Sequence, residues 1–188
     1  KKALGKEARV TVDINQAWSE NTAKTGIAQL EAAGVDLIEQ PIIKTNHAGL
    51  ARLTQRFTVP IMADEAVCTP EDAFYLSSIK AGDVFALKIA KSGGLYDVLK
   101  VAHIGAAAGI SLYGGTLLEG SIGTIASAHA FSTLKNMEWG TELFGPLLLT
   151  EDIIQQKLKY QNGHLHLPDG PGLGIEVDWD KVKHFQRS

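Results

Sequence analysis

The feature that most constrains the fold is an acidic residue that recurs at the end of three apolar segments with nearly constant spacing. Asp13 closes "RVTVD", Glu39 closes "VDLIE" and Asp64 follows "VPIMA", so that successive acids lie 26 and 25 residues apart. One strand, one helix and their short connections fill such a distance. The spacing therefore predicts repeated β-α units that carry each acid to the C-terminal end of a parallel strand.

Short apolar segments predict the strands of this repeat, and their nearly continuous apolarity is typical of strands covered on both faces. The predicted strands are 9–14, 35–39, 59–63, 84–89, 109–113 and 137–140. Apolar residues at helical spacing and good capping residues predict helices at 19–33, 46–56, 69–81, 94–108 and 121–135. This alternation indicates an α/β fold with right-handed crossovers.

The alternation ends after Glu142. Residues 150–158 have helical spacing, and the turn-rich segment after them predicts short strands or loops. We expect a parallel α/β domain at 1–145 and a C-terminal tail at 146–188 that packs outside it or against another domain.

The acids at the three strand ends predict a metal site. Neighbouring strands lie about 4.8 Å apart, so the carboxylates of Asp13, Glu39 and Asp64 are expected to converge. Carboxylates so close repel each other unless a cation neutralises them, and ligation by oxygen alone favours Mg²⁺ or Mn²⁺ over zinc. The alternative is that each acid only caps the helix that follows it.

Lys88 continues the same spacing, 24 residues beyond Asp64. A lysine in an apolar strand can move protons or neutralise an anion, and the alternative is a salt bridge to a neighbouring acid such as Glu65. We expect Lys91 to lie at the rim in solvent. Glu142, after the last predicted strand, is the candidate that donates or accepts a proton.

The glycine-rich segment 112–123 allows two interpretations. Its backbone N–H groups could hold an anion, or its glycines could only permit close packing. The overall composition excludes other classes of function. A net charge of −3 gives no basic surface for nucleic acid or membrane, no apolar run is long enough to span a bilayer, and the single cysteine, Cys68, suits a reducing cytoplasm.

Several motifs resemble the muconate-cycloisomerase subgroup of the enolase superfamily, over essentially the whole chain. They are "VDIN", "IEQP", "ADE", "KIAKSGG", "LYGGTLLEGSIGTIASAHAF" and "WGTELFGPLLLTEDI". The resemblance implies the C-terminal part of a (β/α)₇β TIM-like barrel, its third to eighth strands, which is about six of the eight. It implies Asp13, Glu39 and Asp64 as ligands of Mn²⁺ or Mg²⁺, with Lys88 and Glu142 as catalytic residues.

The resemblance also implies an activity, the reversible lactonisation of cis,cis-muconate, a small dicarboxylate, to muconolactone in catechol catabolism. The full-length enzyme is expected to be a cytoplasmic homo-oligomer. The principal base of the family is the second lysine of a Lys-x-Lys motif one strand before Asp13, which would precede residue 1, as would the capping domain that closes over substrate. We therefore expect the C-terminal part of a longer enzyme, inactive by itself, whose tail packs outside the barrel or on that capping domain.

Other functions stay open at this point. Related enzymes act on chloromuconate, racemise N-acylamino acids or epimerise dipeptides, and Lys88 could transfer the proton in such a racemase. Lys88 could instead form a Schiff base in a metal-independent lyase. The non-enzymatic alternative is an inactive structural fragment.

Overall fold

The computed structural model of the chain describes residues 3, 5 and 7–186. Five parallel strands alternate with helices, and this alternation is the one that the sequence predicts. The strands are β1 Thr11–Asp13, β2 Leu37–Glu39, β3 Ile61–Ala63, β4 Val84–Leu87 and β5 Ser111–Gly114. The helices between and after them are α1 Glu20–Ala32, α2 His47–Arg56, α3 Pro70–Ser78, α4 Leu95–Ala107 and α5 Ser121–Ser132.

The strands pair in chain order, β1-β2-β3-β4-β5, and every pairing is parallel. Asp13 lies opposite Glu39, and Glu39 lies opposite Met62, one residue before the end of β3. The register thus brings the ends of the first three strands to one edge of the sheet, which confirms the predicted α/β fold.

The two faces of the sheet bury different residues because side chains alternate along a strand. One face, which includes Ile38 and Phe85, packs with apolar residues of the helices in the main hydrophobic core. The other face carries a small second cluster formed by Leu37, Met62, Val84 and Ala86 with Tyr113 and Trp139. Glu39, Asp64 and Lys88 follow these residues at a spacing of two, so the sequence places the polar groups on the face opposite the helices.

Capping side chains explain where the helices α1 and α3 begin. The Ser19 side chain accepts a hydrogen bond from the Thr22 amide at the start of α1. At α3, the Thr69 side chain caps the Asp72 amide while the Asp72 carboxylate accepts from the Thr69 amide. This reciprocal capping box satisfies two amides that the helix itself leaves free.

The predicted strand at 137–140 is wrong in its bounds. These residues form a turn, in which the Gly140 amide donates to the Met137 carbonyl and Gly140 has a left-handed φ of 74°. The chain touches the edge of β5 before and after this turn, and Thr141 forms a single parallel bridge with Gly114. The described residues therefore hold five strands in this sheet, with the Thr141 bridge in place of the sixth strand that was predicted.

The predicted helix at 150–158 is also wrong. A short 3₁₀ helix occupies Gly145–Leu148, and Ile154 forms an antiparallel bridge with Val177. Tertiary pairing overrides the helical spacing of this segment. The tail does contain the predicted short strands, β6 Tyr160–Gln161 and β7 His164–Leu165, and it ends in a helix that the sequence did not predict, α6 Trp179–Phe185.

The tail packs on α5 and on the end of the sheet. The Asp152 carboxylate accepts a hydrogen bond from the Ser121 amide, and the Tyr160 hydroxyl donates to the Leu143 carbonyl. The division of the chain at residue 145 stays a prediction. Along the described part of the chain, none of the helices has the length and apolarity needed to cross a bilayer.

Candidate metal and acid-base site

Buried polar side chains meet where β2, β3 and β4 end. Glu39 is the last residue of β2, Asp64 follows β3 and Lys88 follows β4, and their exposures are 6%, 6% and 8%. Burial of charged groups in an otherwise apolar sheet is costly unless they are paired. Their arrangement at one edge therefore points to a function rather than to stability.

Glu39 is surrounded by other ionisable groups. Burial, together with the negative charges of Asp13 and Asp64, raises the pKa of Glu39 to about 8, although Lys88 opposes this. The Glu142 carboxylate adds to the repulsion. Burial and the neighbouring negative charges favour the neutral form of this carboxyl, and a cation next to it would favour the ionised form.

Asp64 is held by two lysines. Its Oδ2 accepts a hydrogen bond from Lys88 Nζ at 2.5 Å, and its Oδ1 accepts from Lys91 Nζ at 2.5 Å. Lys91 Nζ also donates to the Asp64 carbonyl at 2.6 Å. Although burial acts in the opposite direction, these two cations hold the pKa of Asp64 below its usual value.

Two expectations about the lysines need correction. Lys91 does not lie in solvent at the rim, since its side chain is only 11% exposed and contacts Asp64. Lys88 does form the salt bridge considered as the alternative, but its partner is Asp64 and not Glu65, whose Oε1 instead accepts from Gln16 Nε2 at 2.8 Å. In both cases a carboxylate buried at the end of β3 draws the ammonium groups inward.

Asp13 and Glu142 lie at the two sides of this cluster. Asp13 is exposed at the end of β1, and its Oδ1 accepts a hydrogen bond from the Asn15 amide at 2.8 Å. Glu142 is half-buried after the Thr141 bridge, and its amide donates to the Gly114 carbonyl at 3.0 Å. Burial and the nearby Glu142 carboxylate, which accepts a hydrogen bond, raise the pKa of Tyr113, so its hydroxyl stays protonated.

The donor set fits a hard divalent cation by its chemistry. Asp13, Glu39 and Asp64 offer only oxygen atoms, and burial together with the charges of Asp13 and Asp64 raises the pKa of Glu39. As they stand, no three acidic, histidine or cysteine side chains in residues 3, 5 and 7–186 lie close enough together to hold an ion. Metal ligation by these residues therefore remains a prediction.

The glycine segment at 112–123 serves close packing at its first glycines. A Cβ at Gly115 would meet Lys88 Cε at 2.6 Å, and one at Gly114 would meet Thr141 Cγ2 at 2.6 Å. The start of α5, which the sequence analysis considered for an anion, already has a carboxylate of the chain, because Asp152 Oδ2 accepts from the Ser121 amide at 2.8 Å.

Sequence reasoning missed three residues of the site, Gln40, Lys91 and Tyr113. Gln40 is fully buried beside Glu39, and its Oε1 accepts from the Asp64 amide at 2.9 Å. A polar residue between an apolar strand and a proline, as in "IEQP", is a signal that could have identified it. Tyr113 lies on the same face of the sheet as the polar groups. The alternation of side chains along its strand is the signal that could have identified it.

Comparison with known proteins gives close relatives over the whole chain. The chain is 58% identical over 186 residues to muconate cycloisomerase 1-2 of Acinetobacter lwoffii, covering 99% of this chain and 48% of that protein. It is 54% identical to muconate cycloisomerase 1 of Pseudomonas putida and 46% identical to a chloromuconate cycloisomerase of Cupriavidus necator, in each case over 100% of this chain and 50% of the relative. The chain thus spans about half the length of the curated relatives it matches.

Comparison with solved structures identifies the same kind of enzyme. The muconate lactonizing enzyme of Pseudomonas putida superposes with a TM-score of 0.96 at 54% identity, covering 100% of this chain and 52% of that one. A Pseudomonas fluorescens muconate lactonizing enzyme complexed with muconolactone gives 0.95 at 55% identity, with 100% and 50% covered. The fold therefore matches the C-terminal part of their TIM barrel. A family model described as enolase C-terminal domain-like matches residues 1–181, and the chain belongs to that family.

Proposed function

We propose that the protein, at the length of its relatives, is a divalent-metal-dependent cycloisomerase that interconverts cis,cis-muconate and muconolactone. The observation that carries this proposal is the buried group of ionisable side chains around Glu39, at the C-terminal edge of a parallel sheet. That edge is where barrels of this kind hold their active sites. The identity of 58% to a muconate cycloisomerase supports the same reaction.

The substrate is a dianion, so the site must supply positive charge. Asp13, Glu39 and Asp64 are the residues proposed to hold Mn²⁺ or Mg²⁺. A bound dication supplies positive charge to the substrate carboxylate on which negative charge accumulates during the reaction. In the proposed reaction one carboxylate oxygen forms a C–O bond to the diene while a C=C π bond breaks. The electron pair of that π bond moves to the carbon beside the other carboxylate, where it forms a C–H bond with an added proton.

Lys88 is proposed to hold negative charge on the substrate rather than to act as a base. Although burial acts in the opposite direction, the hydrogen bond and charge of Asp64 raise the pKa of Lys88, so its ammonium group stays charged. A fixed cation at a place where charge develops lowers the barrier without any reorganisation. Gly115 leaves the room that the stem of Lys88 occupies.

Glu142 is proposed to give or take a proton. It follows Thr141, which bridges Gly114 of β5, and Gly114 in turn pairs with Leu87, the residue before Lys88. The protonated Tyr113 hydroxyl donates a hydrogen bond to its carboxylate. A positioned acid or base of this kind contributes about 10²–10⁴-fold to a rate.

The assay follows the loss of the conjugated diene of cis,cis-muconate in the ultraviolet, with the protein at the full length of its relatives. We expect Mn²⁺-dependent turnover, abolished by a chelator and restored by metal. The variants Lys88→Met and Glu142→Gln should each lower kcat by about 100-fold or more, while the exposed Lys135→Met should not change it. Turnover that persists in the chelator, or an enzyme without lactonising activity, would exclude the proposal.

A second candidate substrate is chloromuconate. Chloromuconate cycloisomerases match the chain over its whole length at 46% identity, below the 52–58% of the muconate enzymes. We therefore expect a higher kcat/KM for muconate than for chloromuconate, measured with one enzyme preparation. Homo-oligomeric assembly and a cytoplasmic location belong to the same proposal.

A further inference from the structure

Gln40 is buried between the ends of β2 and β3, and the proposed chemistry does not use it. It directly follows Glu39, it has no exposed surface, and its backbone has a left-handed φ of 33°. A residue other than glycine keeps such a conformation only where its surroundings fix it. This strained residue lies next to a candidate metal ligand, so the contacts of its side chain bear on the position of that ligand.

The Gln40 side chain joins the ends of two strands. Its Oε1 accepts hydrogen bonds from the Asp64 amide at 2.9 Å and from the Ala66 amide at 3.2 Å. Its Nε2 donates to the Ile42 carbonyl at 2.9 Å. Two donors facing one end of the amide and a carbonyl facing the other settle its orientation.

The backbone of Gln40 is held equally firmly. Its amide donates to the Met62 carbonyl at 2.9 Å, and its carbonyl accepts from the Gln16 amide at 2.8 Å. The side chain of Gln40 therefore starts from a fixed point next to Glu39 and ends on the amide of Asp64.

We propose that Gln40 is a positioning residue that sets the spacing of the Glu39 and Asp64 carboxylates, and through it the affinity of the site for a divalent cation. This inference rests on the metal site of the proposed function. Gln40 touches neither substrate nor ion; it acts through the loop that begins at Asp64. Residues that orient ligands in this manner commonly change metal affinity when they are replaced.

The sheet does not depend on this side chain. The pairing of β2 with β3 uses backbone groups, with Ile38 opposite Ile61 and Glu39 opposite Met62. A methionine at position 40 has similar volume and keeps the interior filled. It leaves the Asp64 and Ala66 amides without their acceptor, so the loop after β3 must rearrange while the strands stay paired.

The test uses the metal-stripped protein at the full length of its relatives and Mn²⁺ as the probe. Gln40→Met is compared with wild type and with Gln55→Met, the same change at an exposed position of α2. Calorimetric titration gives the Kd for Mn²⁺, and hydrogen exchange of the metal-free protein follows the segment 64–67. Kinetics are measured at limiting and at saturating Mn²⁺.

We expect the Kd of Gln40→Met to rise by about tenfold or more, and that of Gln55→Met to stay at the wild-type value. The amides of 64–67 should exchange faster in Gln40→Met alone. Saturating Mn²⁺ should return kcat to within about threefold of wild type, since the variant loses positioning and no reacting group. Gln40→Asn tolerates the left-handed backbone but is too short to reach the loop, so it decides the question if Gln40→Met does not fold.

Three results would overturn the inference. They are a Kd within about twofold of wild type, unchanged exchange at 64–67, or a kcat that stays low at saturating Mn²⁺. A wild-type protein that binds Mn²⁺ but forms no lactone would instead contradict the proposed function, and the comparison of Kd values would still decide the role of Gln40.

Discussion

At the scale of single residues, Glu39 and Asp64 are buried to the same extent but have opposite pKa shifts. Burial and two neighbouring acids raise the pKa of Glu39, whereas Lys91 and Lys88 outweigh burial and lower that of Asp64. Environments that push the pKa values of adjacent carboxyls apart are typical of active sites. The two acids therefore give the metal-free site two different protonation states at neutral pH.

The raised pKa of Glu39 predicts how stability depends on pH. A carboxyl whose pKa is higher in the folded protein stabilises the fold fully below its unfolded value of 4.5, and this contribution is lost as the pH rises to about 8. The free energy of unfolding of the metal-free protein should therefore gain from Glu39→Gln at pH 8 and change little at pH 4. Urea unfolding at both pH values measures the difference.

The control for this prediction is Glu151→Gln, at an exposed carboxylate. It should leave the free energy of unfolding unchanged to within about 0.5 kcal/mol at both pH values. If Glu39→Gln were less stable than wild type at pH 8, the assignment of a neutral, repelled Glu39 would be wrong.

Lys91 gives a second prediction at this scale. Lys91→Met removes one partner of a buried ion pair and leaves Asp64 Oδ1 and the Asp64 carbonyl without a donor. Breaking such a pair costs about 3–5 kcal/mol, which denaturant unfolding should detect. Lys100→Met removes an exposed pair with Asp97 and should cost less than about 1 kcal/mol. Equal losses in both variants would show that Lys91 is as solvated as the sequence suggested.

The sequence predicted the positions of the acids at the strand ends better than it predicted which side chains contact them. Asp13, Glu39 and Asp64 stand at fixed intervals, and strand register follows from such intervals. The position of Lys91 depends on how the chain turns after β4, which spacing along the sequence does not contain. A long flexible side chain can reach solvent or a buried carboxylate from the same backbone position.

At the scale of elements, the start of α5 shows how the tail completes the domain. Gly120 precedes this helix and offers no side chain to cap it. Asp152 provides the missing acceptor, since its Oδ2 accepts from the Ser121 amide and its Oδ1 from the Ile153 amide. The tail thus caps a helix that lies 31 residues earlier in the chain.

Removal of this cap should destabilise the protein. Asp152→Ala leaves the first turn of α5 without its acceptor and is expected to cost about 0.5–2 kcal/mol in thermal or urea unfolding. Glu151→Ala changes the neighbouring exposed residue and should be nearly neutral. The two variants differ only in whether the carboxylate reaches α5, so an equal effect would contradict the role of Asp152.

Elements were predictable where local pattern and tertiary pairing agree. The segments at β2, β3 and β4 are apolar because both faces of the sheet are buried, one against the helices and the other in the small cluster with Tyr113 and Trp139. The stretch 150–158 has helical spacing, but the Gln155 amide donates to the Glu176 carbonyl and the Asp178 amide to the Ile153 carbonyl. These partners are distant in the sequence, so the local pattern does not show the pairing. The turn at 137–140 was missed for the same reason, because the contacts of this segment with β5 are also distant in the sequence.

At the scale of the whole molecule, the metal should act as a stabilising ligand. An ion that binds only the folded state adds about 2.7 kcal/mol at a concentration of 100 times its Kd. We expect Mn²⁺ to raise the melting temperature of the protein in a concentration-dependent manner, measured by calorimetry. In Glu39→Gln the shift should disappear, and a shift of equal size in that variant would place the ion elsewhere.

The ion pairs of Asp64 bear on how the protein folds. Lys88 and Lys91 give this carboxylate counter-charges that belong to the polypeptide itself. The buried Asp64 carboxylate is therefore neutralised without any ion, so the proposed metal would be needed for chemistry rather than for folding.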